Sequence, residues 1–283
     1  MRCYAERMSA RNLPGMRSPT TDAPFAVIKS DGPHWTGQVE LIEHMLNLPL
    51  RWKKPRRIFV NSMSDVFHES LHVTVQERIF RVMLSAPQHD YLILTKRSEL
   101  MAERVPIIMN RICGAHWQMP SCIWLGVSVE DRARKDRLDW LRKTPAAIRF
   151  VSFEPLLEDL GELNLAGISL AIWGGESGPS ARPCDMQWIR NGMRQAKEQN
   201  CLNFVKQLGR EILGTPELNE FGQAFRIERW KVPGGYYVPP IIGPNAFRMP
   251  REATGFRTFD RKGGDMDEWP EDLRVREMPE IRT

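Results

Sequence analysis

The segment Ile123-Trp124-Leu125-Gly126-Val127-Ser128-Val129-Glu130 carries the pattern that decides the fold, an apolar run that ends abruptly in polar residues. The same pattern recurs along the chain, in the runs Ile58–Val60, Tyr91–Leu94, Phe150–Val151, Leu170–Trp173 and Phe204–Val205. The runs are roughly 30 residues apart, which is the length of one βαβ unit. Continuous apolar runs are typical of parallel strands that are buried on both faces. The sequence therefore predicts a parallel sheet.

Helical patterns alternate with these runs. They predict helices over Thr36–Leu48, from a capping box at Thr74 and Glu77, and over Ser98–Ile112, Asp131–Lys143 and Asp185–Gln199. Asp131 and Asp185 are suitable N-cap residues. The fold class that follows is α/β: a partial, TIM-like (β/α) barrel of parallel strands with outer helices over residues 1–209.

The two ends of the chain lack this periodicity. Residues 1–35 contain several prolines and are predicted to be irregular. Residues 210–283 are predicted to form an irregular C-terminal extension. Trp230–Pro240 reads there as an extended loop or hairpin. The extension contains too many aromatic residues to lie free in solvent, so we expect it to pack on the barrel.

Bulk composition excludes some classes of protein. The chain has no apolar run near the ~20 residues of a membrane span and no signal-peptide core, which predicts a cytoplasmic protein without a membrane partner. The five cysteines are odd in number and scattered, which argues against a disulfide framework. The net charge of +5 fits either a solvated surface or a nucleic-acid partner.

Polar residues at the carboxyl ends of parallel strands converge on one edge, where barrel enzymes build their active sites. The candidates there are Asn61, Ser62, Ser64, Asp65, Glu69, Lys96, Arg97, Ser128, Glu130, Ser152, Glu154, Glu176 and Ser177. Each has a structural alternative, such as capping a helix or forming a surface ion pair. One edge with this many acids, hydroxyls, amides and bases nevertheless predicts an enzyme.

The segment Gly174-Gly175-Glu176-Ser177-Gly178 is a candidate ligand loop. Glycines let a ligand approach the backbone closely, and the spacing does not match a phosphate-binding or dinucleotide-binding loop. Because Glu176 would repel a phosphate, a ligand with an amine, a ribose or a sulfonium fits better. A tight turn between strand and loop is the alternative.

Several motifs together resemble one known family. They are Cys3-Tyr4-Ala5-Glu6, Val60–Phe67, Leu94–Arg97, Trp124–Glu130, Phe150–Leu157, Gly174–Gly178 with Arg182-Pro183, Phe204–Gly209, Asp260–Asp265 and Trp269–Arg276. On these residues the chain resembles the phage-associated three-cysteine-motif proteins of the radical-SAM-like type, a domain of unknown function. The motifs extend over nearly the whole chain.

The resemblance implies a [4Fe–4S] cluster held by three thiolates and S-adenosylmethionine bound beside it. Cys3 would be a metal ligand. The cofactor-binding residues would be Asn61, Ser62, Ser128, Glu154, Gly174, Gly175 and Glu176. The catalytic residues, which would contact the substrate, would be Asp65, Lys96, Arg97 and Glu130. The substrate itself is not predicted.

The chain departs from that family at its start. Two cysteines precede the equivalent of Cys3 in the family, whereas Met1 and Arg2 stand here. We therefore expect the chain as printed to be inactive, either because the start is internal or because the gene is truncated. One alternative is a cluster-less binding protein for nucleic acid or a partner protein. Another is a metal-free enzyme that uses Glu130 and Glu154 as an acid–base pair.

Overall fold

A computed structural model describes residues 4–11, 17–178, 180–214, 227–232, 235–237, 255–258, 264–266 and 269–279. The α-helices in this part of the chain are α1 (Tyr4–Ser9), α2 (Glu43–Leu46), α3 (Leu48–Arg51), α4 (Val73–Ser85), α5 (Ser98–Cys113), α6 (Arg137–Lys143) and α7 (Met186–Glu198). The first strands are β1 (Ala26–Lys29), β2 (Gly32–Trp35), β3 (Arg57–Val60), β4 (Asp90–Thr95), β5 (Ile123–Ser128), β6 (Ile148–Phe153) and β7 (Leu170–Gly174). The later strands are β8 (Cys184–Asp185), β9 (Leu202–Gln207), β10 (Ile212–Leu213), β11 (Ile227–Val232), β12 (Gly235–Tyr237) and β13 (Gly255–Thr258).

All six predicted strands are present, and they form one parallel sheet. Its order is β3-β4-β5-β6-β7-β9, with β3 and β9 as the outer strands. The α/β class and the parallel strands of the predicted partial barrel are therefore confirmed. Within the described ranges no helix has the length and apolar character that crossing a membrane requires.

The chain divides into two compact units. The first consists of the residues up to Gly126 together with Lys143–Ile148. The second consists of Val127–Arg142 and the residues from Arg149 onwards. This division differs from the boundary at residue 209 that the change in periodicity predicts, and that boundary stays a prediction.

In the first unit, strand β4 is deeply buried. Tyr91 and Ile93 are almost fully covered, as a strand packed on both faces requires. Helix α4 buries Ile79, Phe80 and Met83. The predicted capping box at Thr74 is wrong. The helix begins two residues earlier, at Val73, because His72 is the N-cap and its side chain accepts a hydrogen bond from the backbone N–H of Thr74.

Two predictions for the start of the chain are also wrong. The region predicted to be irregular contains α1 and the antiparallel hairpin of β1 and β2. Of the helix predicted over Thr36–Leu48, only α2 is present, and a second four-residue helix, α3, begins at Leu48. Pro49 near the start of α3 explains the break, because proline lacks a backbone N–H and suits the first turn of a new helix.

In the second unit, helix α7 begins as predicted, with the carboxylate of Asp185 accepting from the backbone N–H of Gln187. In the core of this unit, Trp173 of β7 stacks on Phe153 of β6 with ring centroids 4.4 Å apart. The helix predicted from Asp131 is instead a short 3₁₀ turn over Arg132–Arg134 followed by α6.

The second unit also contains a five-stranded sheet with the order β12-β11-β13-β10-β8. Strands β11 and β12 pair in the hairpin that Trp230–Pro240 predicts. Trp269 is fully buried, as expected for the C-terminal segment. The other aromatic residues of the C-terminal extension, among them Phe247 and Phe259, lie outside the residues whose side chains are described.

Candidate functional site

In the first unit, Asp65 is a hydrogen-bond centre in the loop that follows β3. Its two carboxylate oxygens each lie 2.8 Å from the hydroxyl of Thr95, at the end of β4. It also accepts from the backbone N–H of Phe67 at 2.9 Å and from the Arg97 guanidinium at 3.0 Å. The structure therefore brings two predicted residues, Asp65 and Arg97, together.

Arg97 links Asp65 to Glu69. Its Nε donates to Glu69 at 2.7 Å. This hydrogen bond from Arg97 holds the pKa of Glu69 below its usual value. Burial alone would lower the pKa of Arg97, but its hydrogen bonds to the two acids and their charges raise it. The group joins two carboxylates through one guanidinium, and its hydrogen bonds order the ends of two strands.

The other predicted residues of this unit have less defined roles. Asn61 and Ser62 are exposed in the turn after β3, where Asn61 has a left-handed backbone with φ of 57°. The side chain of Lys96 is exposed, while its backbone N–H donates to Asp65 at 3.3 Å. Cys3, the predicted metal ligand, lies outside the described residues.

In the second unit, Glu130 forms a nearly buried ion pair. Its carboxylate lies 2.9 Å from the guanidinium of Arg137, and the two side chains are 6% and 14% exposed. Arg137 also donates to the backbone carbonyl of Ser128 at 2.7 Å. Ser128 is itself buried. These contacts place two predicted residues beside a base that sequence reasoning missed.

Glu154 forms an ion pair with an exposed base, Lys206. The Lys206 ammonium lies 2.9 Å from the Glu154 carboxylate, and the side chains are 55% and 16% exposed. They belong to the ends of β6 and β9, on either side of β7. A methyl group at Gly174, the last residue of β7, would lie 3.3 Å from Cγ of Glu154. The missing side chain of Gly174 therefore makes room for the glutamate.

Gly175 serves the chain's own packing. A side chain there would have its Cβ 2.1 Å from the carbonyl oxygen of Leu208. Its backbone N–H donates to the carbonyl of Gln207, and its carbonyl accepts from the Gln207 side chain at 2.9 Å. At Gly175 the polypeptide itself fills the space on the side-chain face, which favours the alternative of a tight turn.

Glu176 is held by a bidentate interaction with Arg182. The Arg182 Nε and Nη2 atoms lie 2.8 and 3.1 Å from the two carboxylate oxygens, and its backbone N–H adds a third bond at 2.9 Å. The hydrogen bond to Glu176 raises the pKa of Arg182, against the effect of burial, and the charges of Glu130 and Asp131 raise it further. The carboxylate expected to bind a ligand is therefore already engaged.

Three bases complete these sites, Arg137, Arg182 and Lys206, and none was a predicted site residue. Lys206 follows an apolar run, which is the pattern that identified the acids, so the sequence contained a signal for it. Arg182 stood in a family motif without an assigned role. Arg137 lies on a helix seven residues after Glu130, and no sequence signal marks it.

Among the described residues, no three His, Cys, Asp or Glu side chains are grouped so as to hold a metal ion.

Comparisons with known proteins show which family the chain belongs to. Searches of curated proteins and of solved structures found no match. A family described as "Protein of unknown function (DUF5131)" matches residues 1–236. The chain, matched over most of its length, belongs to this family of proteins of unknown function.

Proposed function

We propose that this chain is the body of a radical S-adenosylmethionine-type enzyme, cytoplasmic and of phage or prophage origin, and that Glu154 binds the amino group of the cofactor. The observation that carries the proposal is the Glu154 carboxylate at the end of β6, which is paired with an exposed base. It rests over Gly174, and an exposed lysine is the partner that a cationic ligand would replace.

The residues of this edge fit the cofactor by charge. S-adenosylmethionine carries an ammonium and a sulfonium, and a carboxylate stabilises both. Glu130 and Glu176 are less suited, because arginines with fixed planar geometry already hold them. Lys206 is a flexible point charge with one hydrogen bond to Glu154, so its displacement costs less.

S-adenosylmethionine and a [4Fe–4S] cluster would together supply radical chemistry at this edge. The contribution of this chain would be to fix the cofactor's amino group at Glu154. Of the four residues predicted to contact substrate, Asp65, Arg97 and Glu130 are ordered by the ion pairs described above, and the Lys96 side chain is exposed. Iron and sulfide analysis after anaerobic reconstitution tests for the cluster, which thiolates such as that of Cys3 would hold.

Calorimetric titration of S-adenosylmethionine tests the role of Glu154. We expect binding to the unmodified protein and at least tenfold weaker binding to Glu154→Gln. Glu198→Gln is the matched control, since it removes one carboxylate that is also paired with a base in the same unit. Its affinity should be unchanged.

Lys206→Met makes the test directional. If Lys206 competes with the ligand for Glu154, its removal should leave the affinity unchanged or increase it. If the pair is purely structural, Lys206→Met and Glu154→Gln should weaken binding equally. The proposal is abandoned if the unmodified protein shows no binding, or if Glu154→Gln binds as well as Glu198→Gln.

The alternative of a cluster-less binding protein for nucleic acid or a partner protein remains a second proposal. This alternative rests on aromatic and basic residues in the C-terminal extension, most of whose side chains are not described. Unchanged nucleic-acid affinity after deletion of the tail would count against that form of it.

A further inference from the structure

The residues that precede β3 form a concentrated positive surface in the first unit. Residues 51–57 read Arg-Trp-Lys-Lys-Pro-Arg-Arg, and we call them the basic segment. From His44 to Ser64 the sequence contains no aspartate or glutamate. The overall charge of +5 therefore understates the local field around this segment.

Four cations of the basic segment are exposed: Arg51, Lys53, Lys54 and Arg56. They have no ion-pair partner among the described residues. The acids on the helices around them are already engaged, since Glu43 pairs with Arg78 and Glu77 with Arg81. Unpaired cations this close together repel one another, so the surface gains electrostatically from an anionic partner.

Neutral groups hold the basic segment in place before its last residue, Arg57, which pairs with Asp90 at 3.6 Å. The buried imidazole of His89 accepts from the backbone N–H of Arg56 at 3.1 Å and contacts the carbonyl of Pro49 at 3.0 Å. The Gln88 side chain donates to the carbonyl of Trp52 at 3.3 Å. Ordering by neutral groups presents the cations on a fixed backbone and leaves their charge uncompensated.

Trp52 is engaged on its own chain. The Arg56 guanidinium lies 4.8 Å from its ring centroid, and His89 meets it edge-on at 6.0 Å. The ring is therefore less suited to stack on a base. The segment instead offers cations, which contact phosphates and carry no sequence information.

We propose that the basic segment binds the phosphate backbone of a nucleic acid, without regard to base sequence. Cations fixed along a short stretch of ordered chain suit charges that are themselves spaced along a polymer. This surface lies in the first unit and does not depend on the cofactor site proposed at Glu154.

Fluorescence anisotropy with a labelled single-stranded DNA of mixed sequence tests the proposal, in a series of salt concentrations. We compare Lys53→Gln/Lys54→Gln with Lys29→Gln/Lys197→Gln, which removes two exposed cations elsewhere. Loss of two phosphate contacts should reduce the slope of log K against log salt by about 1.4. The control should keep the slope of the unmodified protein, and a second DNA sequence should bind equally well.

Three results would overturn the proposal. They are binding without salt dependence, an equal loss in both double variants, and binding to phosphatidylserine vesicles but not to DNA. Since the substituted lysines are exposed, both variants should unfold at the same urea midpoint as the parent. Glu154→Gln should bind DNA normally, and Lys53→Gln/Lys54→Gln should bind S-adenosylmethionine normally, so the two proposals fail separately.

Discussion

Glu154 and Lys206 meet at 2.9 Å although they end strands that are not neighbours in the sheet. Strand β7 lies between them and ends in Gly174, which has no side chain and so leaves room for the side chain of Glu154. The pair thus depends on three strands at once. A cationic ligand that replaces Lys206 would find a carboxylate already oriented.

Asp65→Asn should destabilise the first unit by about 2 kcal/mol, because Asp65 accepts from Thr95, Phe67 and Arg97 and an amide has a single acceptor oxygen. Urea unfolding measures the loss. Glu69→Gln is the control on the other side of Arg97. It affects an exposed acid and should cost at most about 1 kcal/mol. Equal losses would show that Asp65 is not the centre of the cluster.

The stabilisation that Glu69 provides should depend on pH. Because Arg97 lowers the pKa of Glu69 in the folded protein, this stabilisation is complete above the unfolded pKa of about 4.3 and disappears as the pH falls through the lower folded value. The difference in unfolding free energy between the parent and Glu69→Gln should therefore shrink on acidification below about pH 4. A difference that stays constant or grows would contradict this assignment.

Gly175→Ala should cost about 3 kcal/mol or more, because the new methyl group would lie 2.1 Å from the backbone carbonyl of Leu208. Gly174→Ala meets its nearest atoms at 3.3 Å and should be milder, with its main effect on the position of Glu154. Urea midpoints of the two variants provide the comparison. If Gly175→Ala is as stable as Gly174→Ala, the close approach of the two segments is wrong.

Gly192→Ala should also destabilise the second unit. A methyl group there would lie 2.2 Å from the Trp173 ring, which is stacked on Phe153 and has little room to move. Helix propensity alone would favour alanine by about 1 kcal/mol, so any loss understates the steric conflict. Lys197→Ala, at an exposed position of the same helix, should leave the thermal midpoint nearly unchanged. A rise in the midpoint of Gly192→Ala would refute the packing.

The cysteines should differ sharply in reactivity. Burial raises the pKa of both Cys184 and Cys201 to about 12, whereas Cys113 is exposed. At pH 8, iodoacetamide should modify Cys113 before Cys184 and Cys201, because only about one buried thiol in 10⁴ would be ionised at a pKa near 12. Peptide mass mapping assigns each site, and urea-unfolded protein is the control. Rapid labelling of Cys184 in the folded state would show that the second unit opens.

The strands were the most predictable part of this protein. An apolar run such as Ile123–Val127 has too few polar groups to face water, so burial between two layers follows from composition alone. Short helices were less predictable. The pattern over Thr36–Leu48 was sufficiently amphipathic for a helix, but the chain breaks the helix near Pro49. His72 is the N-cap in place of Thr74, because an imidazole nitrogen can also accept a hydrogen bond from a backbone N–H.

The sequence by itself determined the parallel strands, their order of appearance and the placement of acids at their ends, because each of these depends on residues that are neighbours in the chain. Only the tertiary structure decided which base each acid meets. Arg137, Arg182 and Lys206 reach Glu130, Glu176 and Glu154 through contacts that depend on the paths of loops, strands and helices. The role of Gly175 was decided in the same way, because the atom that fills its empty side belongs to Leu208, more than 30 residues further along the chain.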